Sequence, residues 1–307
     1  MTKTELLDYV PEFFFYELFL PFYDSKLYWI LLGDKNISEQ VFRSSNITQP
    51  ETLFKLVNQY FFSHDLTEID YDLVERDIKE RNDVKIFVKP ARGQGGAGIY
   101  IFQRSESGQY LTKEGTVLDK PFFGSIGASN NYIIQAGIEQ HPEVSKLHPH
   151  SVNTLRMATE NIHGNVRILC CTLRMGKDGN QVDNGSQGGI LTKVDLKSGK
   201  VGQYAVTEDL QSGYLERHPD TGIEFKGYTV PFWTEAKDFA IESARKLPNL
   251  AYVAWDIALT EDGPLAIEAN QNFGLDHYQV VMGGLKKVLQ IEDPDYFWKN
   301  TGKRTSG

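Results

Sequence analysis

Positive charge and cysteine are what this chain is short of. Its 32 Lys and Arg face 41 Asp and Glu, for a net charge of −9. A nucleic-acid backbone needs a basic footprint to hold it, so general nucleic-acid affinity is excluded, although a local basic pocket is not. The two cysteines, Cys170 and Cys171, are sequence neighbours in an apolar strand. Such neighbours rarely pair, and nothing here indicates an oxidising compartment. Long uncharged apolar runs are missing too. Val10 to Leu32 is rich in aromatics, but Glu12, Glu17, Asp24 and Lys26 interrupt it well before the roughly 18 residues a membrane span needs. No basic segment followed by a small-residue cleavage site is present, and there are no internal repeats or low-complexity tracts. The expectation is a cytoplasmic globule with no transmembrane segment. Within the aromatic stretch, Pro11 to Pro21 is amphipathic enough to lie on a membrane or a partner. Packing against the body of the protein is the reading preferred here.

What is present is ordinary in bulk. Hydrophobic residues make up 40% and charged residues 24% of 307 positions, a length that can bury a sizeable core as two domains or one large composite. The information lies in local patterns. Ile86-Phe87-Val88-Lys89-Pro90 is an apolar run ending in Lys-Pro; Gly93, Gly95, Gly96 and Gly98 follow, and Ile99-Tyr100-Ile101-Phe102 resumes the run. Two strands joined by a flexible turn are expected. Backbone N–H groups in such a loop, unobstructed by Cβ atoms, can fold over an anion, and Lys89 adds a point charge beside them. A polyphosphate is the ligand this suits. A plain flexible hairpin would carry the same glycines. The spacing is not that of a Walker loop, where Lys follows the last glycine, nor of a Rossmann loop, which opens a helix.

A second pattern lies near the C-terminus. Ala251 to Thr260 reads as an apolar strand carrying one acid, Asp256; Glu261 to Pro264 reads as a turn, and Leu265 to Asn270 as the returning strand. Alternate residues of a strand share a face, so Glu268 and Asn270 point the same way, and the hairpin sets Asp256 roughly opposite Glu268. Three oxygen-bearing side chains on one face suit Mg²⁺. The alternative is an edge hairpin with solvated acids, for which an acid between Trp255 and Ile257 is poorly placed.

Together these segments resemble the ATP-grasp superfamily: Lys-Pro, a glycine loop, and a distant Asp…Glu-x-Asn hairpin. His141-Pro142, the run His148-Pro149-His150-Ser151-Val152-Asn153-Thr154-Leu155-Arg156, and Asp183-Asn184-Gly185-Ser186-Gln187-Gly188-Gly189 resemble the branch associated with sugar transfer and polysaccharide loci. The similarity spans roughly residues 85 to 275. It implies an α+β ATP-grasp fold with two lobes clasping ATP: a pre-ATP region over 1–82, a small lobe over 83–140 and a large lobe with the metal site over 141–307. It implies that Lys89, Gly93, Gln94, Gly95 and Gly96 hold phosphates, and that Gln135 and Ala136 form the adenine hinge. Ala136 stands where family members commonly carry Glu, which makes Glu139 the candidate for the ribose. Asp256, Glu268 and Asn270 would ligate Mg²⁺.

Arg156 and Arg174 are suited to bidentate binding of phosphate or carboxylate, with a surface ion pair as the bland alternative for each. Asn184 is a candidate to orient substrate, and Asp183 equally a turn cap. His141, His148 and His150 lack the ligand spacing of a zinc site, so phosphate contact, substrate contact or capping is expected of them. The implied activity is ATP-dependent carboxylate–amine ligation through an acyl phosphate, on a sugar acid or glycan precursor and a small amine. A kinase acting on a small polyol and a nucleotide-binding scaffold are the alternatives. For the remaining chain, Tyr28 to Leu32 reads as a strand, Thr52 to Phe61, Tyr71 to Arg81 and Thr234 to Leu247 as helices, Tyr132–Gln135, Arg167–Arg174 and Ile190–Asp195 as strands, and Lys303 to Gly307 as a frayed tail.

Overall fold

Apolar runs bounded by glycine, asparagine and proline become the strands of two antiparallel sheets in the computed structural model. It describes residues 6–300 except 94, 129, 209, 211, 212 and 272, so the expected tail lies outside the described residues. The chain divides into two units. One is Gly33–Glu139; the other joins the residues up to Leu32 with those from Gln140 onward.

The Gly33–Glu139 unit carries β1 (Thr52–Val57), β2 (Tyr60–Ser63), β3 (Glu68–Ile69), β4 (Lys85–Pro90), β5 (Tyr100–Arg104), β6 (Tyr110–Leu111) and β7 (Tyr132–Ala136) in the order β3-β2-β1-β7-β4-β5-β6. Ile86 and Val88 on β4, Phe102 on β5 and Ile134 on β7 are fully buried, and the helix Lys120–Gly127 supplies Phe122, Phe123 and Ile126 to the same core. The helix Tyr71–Glu80 is where its periodicity puts it, with Val74 and Ile78, one turn apart, facing inward. The expected helix over Thr52 to Phe61 is instead the β1–β2 hairpin. Val57 pairs with Tyr60 across Asn58 and Gln59, both with positive φ (51° and 73°), the backbone of a type I′ turn.

The other unit carries β8 (Thr154–Ile162), β9 (Asn165–Met175), β10 (Ile190–Lys193), β11 (Val206–Thr207), β12 (Tyr252–Thr260) and β13 (Gly263–Asn270), ordered β11-β10-β9-β8-β12-β13. The helix Trp233–Arg245 lies on β8, β9, β12 and β13. The N-terminal aromatic stretch is helical from Glu12 to Tyr23 and packs into this unit. Phe15 and Phe19 are fully buried, with ring centroids 5.3 Å from Phe273 and 5.2 Å from Tyr252 respectively. Burying each ring contributes about 1.5–3 kcal/mol. Tyr28 to Leu32 is not a strand: Lys26–Trp29 is a 3₁₀ turn started by the Ser25 hydroxyl and Ile30–Gly33 is helical, with only Leu32 of that run buried. Among the described residues no helix is long and apolar enough to cross a membrane.

Candidate active site

In the sheet of six strands, pairing register alone gathers the charged side chains. Arg174 on β9 faces Thr154 on β8; Arg156, two residues on, shares that face and pairs with Asp256 on β12. Asp256 pairs in turn with Glu268 on β13, while Asn270 pairs with Ala254, two residues from Asp256. A bulge at Ile267 interrupts the β12–β13 ladder beside this group, a feature common where a strand must re-aim side chains at a site.

Asp256 is the hub. Arg156 Nη1 donates to its Oδ1 and Oδ2 at 3.1 and 2.9 Å, Arg174 Nη1 donates to Oδ1 at 3.1 Å, and Asn270 Nδ2 donates to Oδ2 at 3.3 Å. Burial pushes the Asp256 carboxyl up, but the two guanidinium groups outweigh it and hold the group below the usual carboxylate range. Burial likewise opposes the charge on Arg156 and Arg174, and the carboxylates around them more than restore it, so both stay protonated. Arg174 Nη2 lies 3.7 Å from Asp183, whose carboxylate also accepts from the Thr154 hydroxyl. Asn184 has the capping role: its Oδ1 accepts from the Ser186 N–H and hydroxyl at the head of the turn Gly185–Gln187. The structure thus turns Asp183 toward Arg174 and gives the cap to its neighbour.

Two residues not singled out by sequence complete the group. Glu208, just past β11, lies 2.6 Å from His277 Nε2, and its carboxyl is held low by the hydrogen bond between them. Its carboxylate lies against Gly185, where a Cβ would meet Oε1 at 2.0 Å. Arg174 therefore feels four acids, Asp183, Asp256, Glu268 and Glu208. Four carboxylates against two guanidinium groups leave an excess of negative charge, a setting that favours a divalent cation.

In the Gly33–Glu139 unit, β4 and β5 flank the glycine loop as the sequence pattern requires. Gly95, Gly96 and Gly98 have φ of 69°, 73° and 72°, conformations that side chains rarely adopt, and a Cβ on Gly98 would press on Pro90 at 3.1 Å. Gln94 lies outside the described residues. The Lys89 side chain is buried and Nζ donates to Gln135 Oε1 at 2.9 Å; Gln135 Nε2 reaches the Thr52 hydroxyl at 3.3 Å. The Ala136 N–H is taken by the Glu51 carbonyl at 3.0 Å. Glu139 is exposed and lines a shallow recess with Arg81, Asp77 and Asp83. Lys35 and Arg92 stand beside the loop: Lys35 Nζ donates to the Gly93 carbonyl at 3.2 Å, and Arg92 pairs with Asp34, which also caps the helix Lys35–Ser44. His141 caps the short helix Pro142–Ser145 through Nδ1, one of the roles expected of it.

The model of one protein family, sugar-transfer associated ATP-grasp, matches residues 15–292. The chain belongs to this family. Its fold is the α+β ATP-grasp fold that the glycine hairpin and the Asp…Glu-x-Asn hairpin led us to expect. Solved structures of ATP-grasp proteins are similar at low identity. D-alanyl-alanine synthetase A from Vibrio cholerae is 12% identical, with a TM-score of 0.47, covering 88% of this chain and 64% of its own. D-cycloserine synthetase DcsG is 12% identical, with a TM-score of 0.49 and 85% and 69% coverage. Biotin carboxylase from Campylobacter jejuni is 11% identical, with a TM-score of 0.48 and 85% and 46% coverage. The chain thus spans from under half to about two thirds of the length of these structures. A search of curated proteins found no match. The family match reaches from the aromatic N-terminal helix to the loop after Leu289, so both sheets and both candidate residue groups fall within it.

Proposed function

We propose that this ATP-grasp protein is an ATP-dependent carboxylate–amine ligase acting on a sugar acid or glycan precursor, in the cytoplasm where ATP is supplied. The observation that carries the reading is the pair of buried arginines, Arg156 and Arg174, set on the same sheet face as Asp256, Glu268 and Asn270. An anionic acceptor needs guanidinium groups that stay charged after desolvation, and a neutral polyol does not.

On this reading Lys89 and the glycine loop, in the nucleotide-binding segment 83–140, hold the phosphates of ATP. Gln135, Ala136 and Glu139 serve the adenosine, with the Ala136 carbonyl offered in place of its engaged N–H. In the segment from 141 onward, Glu268 and the Asn270 Oδ1, turned away by the bond its Nδ2 makes to Asp256, would hold Mg²⁺ together with Asp256. The excess of carboxylates fits that ion, which would offset charge on the phosphate oxygens. A carboxylate oxygen of the substrate attacks the γ-phosphorus in line, the bond to the β-phosphate oxygen breaks, and ADP leaves. Arg156 and Arg174 orient that acid and stabilise the acyl phosphate. An amine nitrogen then attacks the acyl carbon, loses a proton, and inorganic phosphate departs. No side-chain nucleophile is required, because positioning and electrostatics lower the barrier.

Oxygen-18 in the substrate carboxylate should therefore appear in the released phosphate, and hydroxylamine in place of the amine should give a hydroxamate. ADP formation with the label retained in a stable phosphorylated product would make the protein a kinase instead.

A further inference from the structure

Away from the arginine cluster, two loops of the same unit bring His148, His218 and Asp220 together, with one ligand atom from each within 4.8 Å of the others. Both imidazoles are fully buried. Their tautomers are dictated by backbone carbonyls. His148 Nε2 faces the Asn180 carbonyl at 2.8 Å and His218 Nε2 faces the Gly176 carbonyl at 2.9 Å, so each ring donates from Nε2, and as a neutral imidazole would leave its lone pair on Nδ1. That is the arrangement of metal-ligating histidines, whose second ring nitrogen is fixed by a carbonyl or carboxylate.

The Nδ1 of His148 is buried without a hydrogen-bond partner, 3.3 Å from Asp220 Oδ2. An imidazole lone pair and a carboxylate oxygen at that separation repel unless a proton or a metal ion lies between them, and no hydrogen bond joins the two. Ligands about 2.0–2.1 Å from a tetrahedral zinc sit about 3.3 Å apart, so the spacing is that of two ligands sharing an ion. His218 Nδ1 accepts only a long 3.2 Å bond from the Asp220 N–H. The frame is built tightly around the group. Asp220 Oδ1 and Oδ2 are aimed by the N–H groups of Asp178 and Gly179 at 3.1 and 3.0 Å. Gly176 leaves room for the His148 ring, which a Cβ there would meet at 2.6 Å.

We propose that His148, His218 and Asp220 form a zinc site that braces these two loops and the Gly176–Asn180 segment bonded to them, with solvent as a further ligand. Neutral imidazole and carboxylate ligands with a vacant fourth position suit zinc over Mg²⁺, which takes oxygen ligands. The brace has a consequence for the loop ahead of the active-site cluster. The segment that begins at Gly176 runs through Asn180, whose Nδ2 donates to the Gln187 carbonyl, to Asp183 beside Arg174. The proposal does not rest on the ligase reading.

Full-length protein stripped with a chelator and titrated with Zn²⁺ against a chromogenic competitor should bind about one zinc per chain. Its melting temperature should rise with that equivalent. Asp220→Asn and His218→Gln should weaken zinc at least ~100-fold, beyond the loss typical of an outer partner, whereas Glu268→Gln should not alter it. Nitrogen-15 spectra of wild-type protein, which need no variant to fold, should show two Nδ1 resonances moving to metal-bound shifts while their Nε2–H protons persist. The absence of stoichiometric zinc uptake by the wild type, or zinc affinity unchanged in both folded variants, overturns the proposal.

Discussion

Lys89 is buried at the end of β4, beside the glycine loop, where its Nζ donates to Gln135 Oε1. On the proposed reading it also holds the phosphates of ATP. Lys89→Ala should weaken ATP binding by on the order of 1.5–3 kcal/mol, tenfold or more, through loss of a charge-assisted contact. Isothermal calorimetry checks this, and an affinity equal to wild type removes Lys89 from the site. The residues read from sequence at this scale were those whose chemistry is fixed by strand alternation. Asp256, Glu268 and Asn270 could be placed on one face because a strand repeats every second residue, and Asp256 does pair with Glu268. Glu208 and His277 could not be, since they arrive from separate segments and meet only in the folded chain. The same holds for His148 and His218: no local spacing unites histidines seventy positions apart.

At the scale of the element, the β1–β2 hairpin shows why one stretch was illegible. Leu53, Leu56, Val57, Tyr60 and Phe61 recur at helical spacing, and β1 is buried on both faces from Thr52 to Leu56, which erases the alternation that marks a strand. The turn carries Asn58-Gln59 where Asn-Gly would have announced it. Gln59 adopts φ 73°, a conformation unfavourable for a residue with a Cβ. Gln59→Gly should relieve that strain. The gain, net of the extra entropy that glycine loses on folding, is about 0.5 kcal/mol. Urea unfolding of the two proteins measures it, and a clear loss of stability would mean that the Gln59 side chain makes contacts outweighing its backbone cost. Tyr28 to Leu32 misled for the opposite reason. Its aromatic and branched residues favour a strand, but Leu27, Tyr28 and Ile30 are solvent-exposed and find no strand partner among the described residues. Elements bounded by clear punctuation were read correctly: β4 and β5 around the glycines, and β12 and β13 around Glu261-Asp262.

At the scale of the whole chain, the first thirty-two residues belong with those from Gln140 onward, an association no local pattern encodes. Aromatic packing supplies most of it, and Asp24 supplies a polar tie. Its carboxylate accepts the backbone N–H groups of Ala251 and Tyr252 at the start of β12, 227 and 228 positions away. Burial dominates over these two hydrogen bonds and pushes the Asp24 pKa up to about 6 from 3.8. The folded state therefore binds a proton more tightly than the unfolded state does. The stability linked to this proton is fully present below about pH 4, and it is lost as the pH rises through about 6, the reverse of a salt-bridged carboxylate. The change is on the order of 3 kcal/mol. Asp24→Asn cannot titrate, although it loses one acceptor oxygen and is less stable by a pH-independent amount. Relative to wild type it should gain stability as the pH is raised from 4 to 7, and the gain should level off above pH 7. Taking the difference between the two proteins cancels the titration of every other group, including the acids held low near Arg174. Chemical denaturation at intervals across this range gives the curve. A flat difference would show that Asp24 titrates as an ordinary surface acid. A difference of opposite slope would show that its two backbone hydrogen bonds, and not burial, set its pKa.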